Sequence, residues 1–167
     1  MFATSLIVAL AGFVASTGLE KPSWHADYGS AQALGREGHK PLAVFIGTGK
    51  EGWNQVNREG RLGKDINQLL AKTYICVYVD TTVETGKQLA AELEVAQGPG
   101  LIVSDHAGRY QAFHHQGDLS NDQLVRYLHR YADPEHVVRT TETNPPVRRG
   151  YAPAESYYQP IRSSGGC

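Results

Sequence analysis

The 167 residues predict an α/β fold, a mixed four-stranded sheet with helices on both faces. Three observations carry that expectation. Two apolar runs, 42–46 (LAVFI) and 73–80 (TYICVYVD), have strand length and are apolar on both sides, as central covered strands are. Helical periods lie before, between and after them. Two further strand-like segments, 101–103 and 110–114, are too close in sequence for a parallel crossover of a dozen residues or more, so they must form a hairpin.

Each element has its own local cause. Residues 28–38 place Tyr28, Ala31 and Leu34 at helical spacing, and Gly35 and Gly38 weaken the end. Pro41 and Gly47 bound the first strand. A glycine loop follows (GTGKEG), then a helical piece from about Trp53 that Gly60 and Gly63 interrupt and that resumes over 64–72 with Ile66, Leu69 and Leu70 on one face. In the second strand Ile75, Val77 and Val79 point one way and Tyr74, Cys76 and Tyr78 the other. Residues 85–95 form a helix carrying Leu89 and Leu93. Gly98, Pro99 and Gly100 then lead into the hairpin, whose turn is His106, Ala107 and Gly108. Ser120 with Gln123 makes a capping box that opens a last helix bearing Leu124, Tyr127, Leu128 and Tyr131. The order is α-β-α-β-α-β-β-α, a three-layer arrangement.

These residues resemble a known family. KPLAVFIG, YICVYVD, GPGLIVSDHAGRYQAFHHQG and the terminal amphipathic helix look like the thioredoxin-like superfamily over about residues 24–132. The resemblance implies a thioredoxin-like three-layer fold. It also implies that Pro99 matches the family's cis-proline, next to the surface that receives an extended peptide, so a cis Gly98-Pro99 bond is expected. Where redox members carry Cys-x-x-Cys after the first strand, this chain reads Gly49, Lys50, Glu51, Gly52, Trp53. Dithiol exchange needs an attacking thiolate and a resolving thiol one helical turn apart, and this loop has neither.

Other chemistry has less support. Cys76 lies inside a strand, where a thiol is an inert small hydrophobe, and Cys167 ends the chain. An atypical cysteine at either place is the enzymatic alternative. Gly47, Gly49 and Gly52 match G-x-G-x-x-G between a strand and a helix, and Asp80 ends the next strand, so a dinucleotide site is a further alternative. Against it, the acid comes about 28 residues after the last glycine instead of about 20. His114 and His115 point to opposite faces of a strand, so no metal is expected among the seven histidines. No G-x-S-x-G elbow exists, and no catalytic residue and no cofactor are assigned.

Composition and the two ends complete the expectation. With 16 Lys+Arg against 17 Asp+Glu there is no basic excess for a nucleic-acid partner. Residues 6–15 (LIVALAGFVA) form an apolar run of signal-peptide size, too short for a membrane span of about 20 residues, with small residues behind it. Residues 1–18 are therefore read as a leader, with export to the periplasm or outside the cell. Pro134, Pro145, Pro146, Pro153 and Pro160 mark 133–167 as a flexible tail, leaving 19–132 as one domain. The expected function is an exported, non-redox binding module for a peptide or protein, with no stable membrane span. Its site residues are Gly49, Lys50, Glu51, Gly52, Trp53, Gly98, Pro99 and Gly100, with Trp53 as an aromatic anchor.

Overall fold

The computed structural model describes residues 21–95 and 97–144. The leader, Cys167 and the end of the tail lie outside the described residues.

The elements run β1 (Trp24–His25), α1 (Tyr28–Gly38), β2 (Leu42–Gly47), a 3₁₀ turn (Gly52–Val56), α2 (Lys64–Thr73), β3 (Ile75–Asp80), α3 (Glu84–Glu92), β4 (Gly100–Ser104), β5 (Gln111–Gln116), α4 (Asn121–Ala132) and β6 (Glu142–Thr143). The sheet order is β1-β3-β2-β4-β5-β6. β2 pairs in parallel with β3 and antiparallel with β4, and β4 pairs antiparallel with β5. That inner four-stranded order, with helices on both faces, is the thioredoxin-like three-layer fold.

The alternation read from β3 places its side chains on the two faces as expected. Tyr74 and Cys76 join Phe45, Leu101 and Phe113 in the cluster that α2 and α4 cover through Ile66, Leu70, Leu124 and Leu128. Val77 and Val79 join Val44, Ile46 and Ile102 in the cluster on the other face, covered by Ala31 of α1 and by Ala90 of α3. All six β2 positions are buried, so the central strand loses its whole side-chain surface to the core. The Ser120–Gln123 capping box is present at α4, with both reciprocal bonds made.

The elements depart from the expectation in three places. The sheet has six strands and not four, because two-residue edge strands pair at each side: β1 parallel to β3, and β6 parallel to β5. Two residues are too few to show a period. The segment from Trp53 winds as a 3₁₀ turn before α2. Residues 133–144, expected to be flexible tail, return along the sheet. Val138 is buried there, the Tyr110 hydroxyl donates to its carbonyl (2.9 Å), and Glu142 meets Arg130 and Tyr131 of α4. Among the described residues no helix is long and apolar enough to cross a membrane.

Candidate functional site

The loop after β2 is closed by its own backbone. Gly47 and Gly52 pass so near each other that a Cβ on Gly47 would stand 2.2 Å from the Gly52 carbonyl oxygen. Gly49 takes a left-handed φ of 82°. The Gly49 N–H donates to Asp80 Oδ1 (2.9 Å), the Thr48 N–H to Gln55 Oε1 (3.1 Å) and the Gly52 N–H to the Gly49 carbonyl (3.3 Å). A phosphate cradle needs such amides free, and the helix that should follow is a short 3₁₀ turn. The glycines here serve a tight turn, which weighs against the dinucleotide alternative. Asp80, the acid of that fingerprint, instead ties the loop down. Bonds from the Thr82 backbone, then the Gly49 backbone and the Thr82 side chain, hold its carboxyl below the ordinary range.

Lys50 and Glu51 stand exposed at the loop tip. Trp53 is not a free anchor. It is half-buried, stacked on Trp24 with ring centroids 5.0 Å apart, and edge-on to Tyr78 at 5.0 Å. Tyr78 in turn donates its hydroxyl to the Gly49 carbonyl, so the aromatic stack fixes the base of the loop.

Gly98, Pro99 and Gly100 leave the sheet at the same end, because Gly100 pairs with Ile46, one residue before Gly47. The expected cis bond is not there: the Gly98-Pro99 bond is trans. Gly98 adopts φ 74°, and that left-handed glycine turns the chain without cis geometry. The Pro99 carbonyl accepts from the Gly117 N–H at 2.7 Å. Gly100 is held in place by crowding, since a Cβ there would meet Val95 Cγ1 at 2.6 Å.

Cys76 is buried, and burial pushes its thiol up to about 12. His114 and His115 pair with Ile102 and Leu101, on opposite faces of β5.

The sequence did not point to the cleft beside this loop. An open cavity of about 640 Å³ lies at the carboxyl ends of β1 and β3. Ala26, Asp27 and Tyr28 form one side at the start of α1, while Tyr78, Val79 and Asp80 form the floor. Val83, Thr85, Gly86 and Leu89 of the α3 segment face them, and Lys50 reaches in from the loop tip. Gly86 permits this packing, because a Cβ there would stand 1.9 Å from the Asp80 carbonyl oxygen. Of the site residues read from the sequence, only Lys50 lines the cleft. The others come from separate segments, and the one local signal was Asp27 directly before a helical period.

Among solved structures the chain is similar to one described as DsbH Oxidoreductase, at 15% identity and a TM-score of 0.48, over 69% of this chain and 84% of that one. No family model and no curated protein matches the chain. Sheet order and strand direction, not that likeness, define the thioredoxin-like module.

Proposed function

We propose that this thioredoxin-like module is exported and binds a peptide or protein without thiol exchange. The site is the 49–53 loop together with the cleft between α1 and α3. The observation that carries the reading is the cleft itself, an open cavity at the carboxyl ends of parallel strands, where α/β sheets place their ligands. Lys50 and Glu51 are the exposed residues of the loop tip beside the cleft, and Gly52 and Trp53 support the loop from below. Gly98, Pro99 and Gly100, on the far side of β2, form a neighbouring surface, and their trans bond removes the argument from a cis turn. The burial of Cys76 supports the non-redox part.

The test is a set of short peptides titrated into isotope-labelled protein. Backbone shifts at Lys50, Asp80 and Val83 are expected. Peptides that leave both this cleft and the 98–100 turn unperturbed, or insulin reduction that vanishes in Cys76→Ser, would overturn the reading. Export predicts that protein isolated from the host begins near Thr17 or Leu19, and an intact Met1 by mass spectrometry counts against it.

A further inference from the structure

The cleft combines two carboxylates with a wall of aromatic and aliphatic carbon. Asp27 caps α1 by accepting from the Ser30 N–H at Oδ1 (2.6 Å). Asp80 accepts from the Gly49 N–H, the Thr82 N–H and the Thr82 hydroxyl, all at Oδ1. Among the described residues the second oxygen of Asp80 has no hydrogen-bond donor from the protein. Hydrogen bonding lowers both carboxyls from their ordinary range: from the Ser30 side chain and backbone at Asp27, and from the Thr82 and Gly49 amides at Asp80.

The rest of the lining suits a long alkyl stem. Val83 is 53% exposed, and the half-buried Leu89 continues the apolar side over the buried Val79. Tyr28 adds a ring beside them, while the Tyr78 ring packs with Trp53 on the other face of the sheet.

We propose that the cleft receives the basic side chain, Lys or Arg, of an extended peptide segment, a proposal that rests on the binding reading above. Its methylenes would lie on Val83 and Leu89, and its cationic head would meet Asp27 and Asp80 with the Tyr28 ring beside it. An acidic side chain would face two carboxylates. Lys50 is the one cation of the lining, and it makes no ion pair among the described residues. It is a like charge to the ligand, so removing it strengthens binding.

The test uses the full chain and three acetylated, amidated pentapeptides that differ only in a central Arg, Gln or Glu between alanines. The Arg peptide is expected to shift the amides of Lys50, Asp80 and Val83, and more weakly at high salt. The Gln and Glu peptides are expected not to saturate. Asp27→Asn keeps an N-cap residue while removing the charge, and should weaken the Arg peptide by about fivefold, the scale of an exposed ion pair. Lys50→Gln should tighten it by a similar factor. Equal or tighter binding of the Glu peptide overturns the proposal, as does Asp27→Asn without effect. If the Gln peptide fills the cleft as well as the Arg peptide, the binding reading stands and the basic ligand falls. Shifts confined to Gly98 and Gly100 remove the cleft but keep a binding module. No shift with any peptide removes both.

Discussion

At Asp80 one carboxylate decides the shape of the whole 48–52 loop. Its Oδ1 collects two backbone amides and a hydroxyl, and those bonds favour the charged form. A carboxyl whose folded-state pKa is depressed adds stability that is present above its unfolded value and lost as pH falls through the folded one. The Gly49 and Thr82 amide shifts should therefore stay constant through neutral pH and titrate together only in acid. A common midpoint at or above about 4, the ordinary carboxylate value, would mean that the bonds to Asp80 do not form. Asp80→Asn should abolish the titration. The glycine loop itself was legible as a sharp turn, but its acceptor was not. Asp80 is 31 residues from Gly49, and only the parallel register of β2 on β3, which sets Gly47 opposite Asp80, brings them together. Trp53 shows the same limit: a tryptophan after a glycine loop has the same sequence whether it is exposed or stacked, and Trp24 decides which.

Elements with a long period or a strong terminal signal were legible. β3 alternates over six residues, the hairpin is bounded by glycines, and α4 announces its start with Ser120 and Gln123. β6 has no such signal, and its position comes from side chains. Glu142 accepts from Arg130 Nη2 (3.1 Å) and from the Tyr131 hydroxyl (2.5 Å), pinning the returning strand to the end of α4. The Tyr131 phenol is raised well above its ordinary range, by burial first and then by its bond to Glu142. Because Glu142 is one-third exposed, solvent screens the ion pair and the hydrogen bonds dominate. Glu142→Ala should cost about 1 kcal/mol, the size of a hydrogen bond to a charged group after discounting for exposure. Urea unfolding measures it. A midpoint unchanged from the parent would show that the carboxylate does not hold β6.

On the scale of the whole molecule the packed unit ends later than proline content suggests. Composition separates 133–167 from the rest because prolines and the lack of a period give it little apolar surface to bury. Local composition does not show that the hairpin leaves an edge open at β5 and that eleven residues suffice to bring Val138 into the core and Thr143 beside His114. The cleft was hidden for a related reason, since its residues are drawn from 26–29, 50, 78–80 and 83–89 and meet only when α1 and α3 dock on one face. These two boundaries can be told apart by truncation. Ending the chain after Ala132 removes β6, the buried Val138 and the Tyr110 bond to its carbonyl, so Tm should fall by more than about 4 °C, the shift expected for roughly 1 kcal/mol in a domain of this size. Ending it after Asn144 removes only the proline-rich remainder and should move Tm by less than about 2 °C, the range of an ordinary surface change. Tm values for both truncations equal to the parent's would return the boundary to residue 132. An equal fall below the parent in both truncations would place core contacts in 145–167, the part of the chain that composition marks as least able to make them.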